Sequence, residues 1–182
     1  MTESKMMELG TPAPMFELPD TVSGETLSLE SFRSEIATVV VFICNHCPYV
    51  HHVNDKLVEV ANHYQDRGVR FIAISSNNVL THPQDAPEHM TEVAKKEGYP
   101  FPYLYDESQE VAKAYGAECT PDFFVFDGSL ECAYRGRFDE TRPNKGRATG
   151  KDLSDALDAI IAGKTPNSIQ FPSMGCGIKW KK

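Results

Sequence analysis

The chain has 182 residues, and its 18 Lys+Arg against 26 Asp+Glu give a formal net charge of −8. An acidic chain lacks the basic surface that holds phosphate backbones, which argues against a nucleic-acid partner, and no run of about 18 apolar residues is available to span a membrane. A chain of this length hides roughly 70% of its unfolded surface without staples, and its first eight residues carry Glu3 and Glu8 and no apolar stretch, so they do not read as a secretory signal and the expected compartment is the cytoplasm.

Taken in chain order, Thr11-Pro12-Ala13-Pro14 opens an extended segment, and Phe16–Leu18 and Thr26–Leu29 flank the turn Ser23-Gly24-Glu25 as a hairpin. Ala37–Ile43 is a continuous apolar, β-branched run, the pattern of a central strand buried on both faces, and it runs directly into Cys44. From Pro48 to about Gln65, Val50, Val53, Leu57, Val60, Ala61 and Tyr64 recur at helical spacing ahead of Gly68. Val69–Ser75 reads as a second buried strand, Asp85–Glu97 as a helix stopped by Gly98, and Tyr103–Tyr105 as a short strand. Ser108–Tyr115 reads as a helix capped at Ser108 and ended by Gly116. Asp122–Phe126 and Leu130–Arg135 form a hairpin across Asp127-Gly128. Lys151–Ala162 puts Leu153, Leu157, Ile160 and Ile161 on one helical face.

Alternating strands and helices give parallel strands with covering helices, and the late hairpin adds antiparallel ones. The expected fold is therefore α/β, a mixed central sheet with helices on both faces and an N-terminal hairpin extension. No repeat, low-complexity tract or interior linker divides it, so residues 1–182 read as one domain with a tail from about residue 164.

Five cysteines, Cys44, Cys47, Cys119, Cys132 and Cys176, in a reducing compartment are fillers, metal ligands or redox groups more often than structural bridges. Cys44 and Cys47 form a CxxC pair where a buried strand gives way to a helix, with Asn45 and His46 between them and Pro48 after them. The expectation is that Cys44 lies at the helix N-terminus, where free amides and the dipole lower its pKa. His46 adds a donor that favours the thiolate, and Pro48 suits a first helical turn.

These features resemble the thioredoxin-like superfamily, and within it the redoxins, the alkyl hydroperoxide reductase/thiol-specific antioxidant group with its TlpA/ResA-like relatives. The resemblance rests on Gly10-Thr11-Pro12-Ala13-Pro14-Met15-Phe16, on the Cys44/Cys47 motif, and on Cys119-Thr120-Pro121-Asp122-Phe123-Phe124-Val125. CNHCPYV together with Gly175-Cys176-Gly177-Ile178-Lys179-Trp180 also resembles one subgroup of thioredoxin-family proteins. The resemblance implies a three-layer sandwich, a cis-proline at Pro121 packed against the CxxC, and Thr120 as the residue whose backbone pairs with a bound substrate chain. Two departures stand out. Thr38 occupies the position of the buried acid of thioredoxins, and Cys44 stands where peroxiredoxins have the threonine ahead of their Cys-Pro pair.

The expected activity is thiol-disulfide exchange with protein or small-molecule disulfides, with Cys44 attacking and Cys47 resolving and with a thiol reductant such as the thioredoxin or glutathione system. A peroxidase that passes through a cysteine sulfenic acid is the first alternative. A module binding metal through Cys44, Cys47 and a nearby histidine is the second; His51 and His52 read instead as solvated. The exchange reading calls for no cofactor and no metal, and leaves a homodimer open. Cys119 is either a small buried residue or a resolving thiol, Cys132 reads as core, and Cys176 lies in a glycine-flanked tail whose freedom would let it swing to the site or bridge to another chain. Arg135 or Arg137 is either the arginine such peroxidases place by the sulfur or an ordinary strand end, and the basic loop Arg142–Lys151 reads as a solvated face.

Overall fold

The computed structural model describes residues 1–182. In chain order it contains β1 (Thr2–Glu3), β2 (Glu17–Pro19), β3 (Thr26–Ser28), α1 (Leu29–Phe32), β4 (Ala37–Phe42), α2 (Pro48–Gln65) and β5 (Val69–Ser75). There follow α3 (Pro87–Glu97), β6 (Tyr103–Tyr105), α4 (Glu110–Tyr115), β7 (Cys119–Thr120), β8 (Asp122–Asp127), β9 (Cys132–Gly136), α5 (Lys151–Ile161) and β10 (Met174–Gly177). No helix is long and apolar enough to cross a membrane.

The main sheet has the order β6-β5-β4-β8-β9, with β4 parallel to β5 and antiparallel to β8. Every residue of β4 is buried, as the unbroken apolar run requires of a central strand covered on both faces. Side chains alternate across it. Val39 and Val41 meet Val50, Leu57, Met90 and Leu157, so α2, α3 and α5 cover one face. Val40 and Phe42 meet Leu29, Ala112, Tyr115 and Phe124, so α1, α4 and the N-terminal segment cover the other. This is the expected three-layer α/β sandwich, and β2 pairs with β3 as the N-terminal hairpin, Leu18 opposite Leu27.

The differences from expectation have local causes. The helix expected from Asp85 begins at Pro87, behind a separate 3₁₀ turn at Pro83–Asp85, because a residue preceding proline is pushed out of the helical region and Ala86 is extended (φ −64°, ψ 154°). The helix expected from Ser108 begins at Glu110, since Gln109 is left-handed (φ 66°). Its start is satisfied by Asp106, which accepts from the Ala112 amide at 3.0 Å. The Asp127-Gly128 turn extends through Leu130, itself left-handed (φ 57°), and Asp127 Oδ1 accepts from the Ser129 and Glu131 amides.

A second sheet, β1-β10-β7, was not expected at all. The tail does not hang free. Thr2 lies opposite Gly175, and Cys176 lies opposite Thr120.

Candidate active site

β4 delivers the motif from the middle of the sheet. The Ile43 amide still donates to Ile74 O at 2.9 Å, and the chain then leaves the sheet at Cys44. Contrary to the sequence expectation, the residue at the helix N-terminus is Cys47: it is the N-cap of α2, extended at φ −76°, ψ 122°. The cause is Pro48, which disfavours helical backbone at the residue before it while fitting the first turn itself. Both thiols are buried, Cys44 at 1% exposure and Cys47 at 0%.

The loop between them is clamped from below by Asp85, which is fully buried. Its carboxylate accepts from the Asn45 amide at 2.8 Å and from Asn77 Nδ2 at 2.9 Å. His46 Nδ1 lies 2.5 Å from Oδ2 of the same carboxylate, and its ring stacks on His82 at 5.3 Å. Asn45 is held at both ends, accepting from Tyr103 Oη at 2.8 Å and donating to Gln84 O at 3.0 Å. His51 Nε2 is 2.6 Å from Asn45 O. Nothing in the sequence marks Asp85 as part of this site, since it reads there as the first residue of the helix expected over Asp85–Glu97. Cys44, His46 and Asp85 bring their potential ligand atoms within 4.8 Å of one another, so a metal would draw on this set.

The Thr120–Pro121 peptide is cis, and both sulfurs converge on it. Cys44 Sγ is 3.5 Å from Thr120 Oγ1, and Cys47 Sγ is 3.4 Å from Thr120 O. On its other side Cys47 Sγ is 2.7 Å from Cys176 Sγ. The hydrogen bond from the Cys44 thiol, helped by Cys176, Thr120 and the Val50 amide, lowers the Cys47 pKa to about 4. That same sharing with Cys47, together with burial and the Asp85 carboxylate, raises Cys44. The shared hydrogen bond therefore favours the thiolate on Cys47 over Cys44, the reverse of the sequence expectation.

The remaining thiols separate cleanly. Cys119 is buried, its Sγ lies 3.8 Å from Ser173 O, and burial raises its pKa. Cys132 lies in the core on the opposite face from the motif, and burial pushes its thiol up to about 11. Cys176 is half-buried, the most open of the five.

The edge of β7, where the family resemblance would place a bound substrate chain, is occupied by the protein's own β10. The tail glycines serve close approach and not mobility: a Cβ on Gly175 would stand 1.9 Å from Thr120 O. Beyond the strand, the Lys179 amide donates to Asn77 Oδ1 at 2.9 Å. Beside Pro121 opens a cleft of about 490 Å³ whose lining includes Tyr49, His52, Arg142, Lys145 and Met174. His52, expected to be solvated, holds Thr141 Oγ1 at 2.8 Å at this cleft. The arginines of β9 and its end are engaged elsewhere, Arg135 with Met7 O and Gln170 and Arg137 with Asp152. Neither is the arginine beside a sulfur.

Thr38, at the position of the thioredoxin acid, is buried and accepts from the Ser34 amide at 2.9 Å. A buried acid does exist one residue past the cis-proline: Asp122 is 1% exposed, and neither carboxylate oxygen has a hydrogen-bond partner. Burial raises its pKa well above the usual carboxylate value.

A profile of the AhpC/TSA family matches residues 9–135. An uncharacterized conserved protein from Geobacillus kaustophilus is 53% identical, with 99% of this chain and 96% of that one covered and a TM-score of 0.97. The thioredoxin domain of a thiol-disulfide oxidoreductase from Bacteroides vulgatus is 17% identical, covering 77% of this chain and 93% of that one at a TM-score of 0.61. A peroxidoxin from Mycobacterium tuberculosis is also 17% identical, covering 87% and 98% at a TM-score of 0.64. These last two share the fold. No curated protein matches the chain.

Proposed function

The chain belongs to the AhpC/TSA family, and we propose that within it the protein is a thiol-disulfide oxidoreductase working through Cys44 and Cys47. The observation that carries this reading is the convergence of both sulfurs, at 3.5 and 3.4 Å, on Thr120 of the cis Thr120–Pro121 peptide. Cys47, as the thiolate, attacks one sulfur of a substrate disulfide; the substrate S–S bond breaks and a mixed disulfide forms on Cys47. The departing thiolate takes the proton of Cys44. Cys44 then attacks Cys47 Sγ, a Cys44–Cys47 disulfide forms, and the second substrate thiolate leaves to be protonated by solvent. The substrate gains two electrons and the dithiol loses two.

Reduction by an external thiol, such as the thioredoxin or glutathione system, restores the pair, and a cytoplasmic setting supplies that reductant. The cleft beside Pro121 offers adjoining room for the substrate's remaining atoms, and its lining carries both signs of charge, Arg142 and Lys145 with Asp139 and Glu140.

A second reading, hydroperoxide reduction, is favoured by Cys47 as the N-cap of α2 directly before Pro48. There the thiolate takes one oxygen to become a sulfenic acid while water or an alcohol leaves. A metal-binding role has less support, because the Asp85 carboxylate is already engaged by Asn45 and Asn77.

Steady-state reduction of a small aromatic disulfide under a dithiol reductant tests the proposal, with hydrogen peroxide consumption measured in parallel. Cys47→Ser is expected to lose disulfide reduction while keeping its far-ultraviolet circular dichroism. An undiminished rate in that variant overturns the proposal, and peroxide turnover far above disulfide turnover in the wild type moves the conclusion to the second reading.

A further inference from the structure

We propose that Cys176 is a third redox thiol of this site, carried by the C-terminal strand into the position beside the cis-proline and exchanging with Cys47. The inference rests on the dithiol reading and extends it by one residue and one step. Three independent observations support it.

The first is distance. Cys47 and Cys176 place their sulfurs 2.7 Å apart, closer than an ordinary nonbonded contact and only a short closure from the roughly 2.05 Å of a disulfide. The second is delivery. β10 is paired on both edges, with β1 and with β7, and both Gly175 and Gly177 sit where a side chain would collide, with Thr120 O and with Thr2 Oγ1. Beyond its two ends, Ser173 donates to Ser4 Oγ at 2.8 Å and Lys179 to Asn77 Oδ1 at 2.9 Å. A strand held this closely brings Cys176 to one place. The third is access: Cys44 and Cys47 are buried, whereas Cys176 is partly open to solvent, which makes it the thiol an external reductant reaches first.

The step balances without any further reactant. Once Cys47 holds a mixed disulfide and the first substrate thiolate has left with the proton of Cys44, Cys176 passes its own proton to the Cys44 thiolate. It then attacks Cys47 Sγ. The Cys47–substrate bond breaks, a Cys47–Cys176 disulfide forms, and the second substrate thiolate leaves, so the substrate disulfide has taken two electrons from Cys47 and Cys176. The same attack on a Cys44–Cys47 disulfide frees the Cys44 thiol and moves the bond outward. Electrostatics give the order of events. Burial and the Cys47 thiolate hold the Cys176 pKa up at about 11, so Cys176 stays protonated until Cys47 has spent its charge on a substrate.

The test uses oxidised glutathione as probe and whole-protein mass as readout. Reduced Cys44→Ser is expected to take up glutathione only transiently and to end with a Cys47–Cys176 cross-link. Cys44→Ser/Cys176→Ser is expected to keep one glutathione on Cys47, with an adduct lifetime about tenfold longer or more. Equal lifetimes in the two variants overturn the role of Cys176 and leave the dithiol reading standing. No uptake by the double variant overturns both. Peptide mapping of the wild-type protein after the same oxidation gives a check without substitutions: a Cys47–Cys176 cross-linked peptide is expected beside the Cys44–Cys47 one, and its complete absence contradicts the inference.

Discussion

Gly175 and Thr120 are in such close approach that a single methyl group at position 175 would stand 1.9 Å from the Thr120 carbonyl oxygen. The strand carrying Cys176 lies beside the cis-proline only because residue 175 has no side chain. Since the obstacle is backbone and not the end of a flexible side chain, it has little room to give. Gly175→Ala is expected to lose about 1–3 kcal/mol, the usual scale for overpacking, or to lift β10 off β7. Denaturant midpoints and the alkylation rate of Cys176 read the two responses. A variant unchanged in both contradicts this account of the tail.

The Cys47 thiolate sets a pH dependence with a definite sign. Its folded pKa, lowered to about 4 chiefly by the Cys44 hydrogen bond, lies below the ordinary value of 9.0, so the unfolded chain binds the proton more tightly than the folded one. The contribution to the stability of the reduced protein is full above about 9, declines as pH falls, and is gone below about 4. Thiolate ultraviolet absorbance should therefore persist far into the acid range and be lost in Cys47→Ser. Absorbance that disappears near the ordinary thiol pKa contradicts the assignment.

Asp122 acts in the opposite direction. Its carboxyl is buried without a partner and its pKa is raised above the usual 3.8, so the folded chain holds the proton more tightly. Stability then falls as pH rises above the unfolded carboxylate value. Asp122→Asn removes that titration, and its denaturant midpoint should gain on the wild type progressively from acid toward neutral pH. A difference that stays constant over this range contradicts the picture of a neutral buried acid.

Asp85 holds the Asn45 amide and the Asn77 side chain with a fully buried carboxylate. Asp85→Ala leaves these donors unpaired, and each such group costs about 1–3 kcal/mol. The variant should therefore be markedly less stable and should also react more slowly with disulfides, because the loop that sets the two sulfurs loses its clamp. Hydrogen exchange at Asn45 and His46 should accelerate. Slow exchange there at wild-type stability contradicts the role given to Asp85.

The central layer was legible from the chain because its signals are local. The β-branched run after Ile36, the helical spacing from Pro48 to Gln65 and the strand Val69–Ser75 each sit between clear stops and match the structure closely. What stayed hidden was settled at long range. The strands β1, β7 and β10 are two to four residues long and exist only by pairing across the chain, so Gly175 and Gly177 read as freedom when they are in fact close contacts. That Cys47 and not Cys44 caps α2 follows from Pro48, whose effect on its neighbour is available in the sequence and is outweighed by the expectation that a CxxC helix starts at its first cysteine.

The most direct measurement is an equilibrium titration of the protein in glutathione redox buffers, with rapid alkylation and peptide mapping at each potential. Loss of the Cys44 and Cys47 thiols is expected in one two-electron transition, with a Cys44–Cys47 cross-link and a midpoint in the range of about −270 to −120 mV spanned by known dithiol exchangers. If both cysteines remain alkylatable across the whole range, or each takes up glutathione separately with no cross-link, the dithiol mechanism is contradicted.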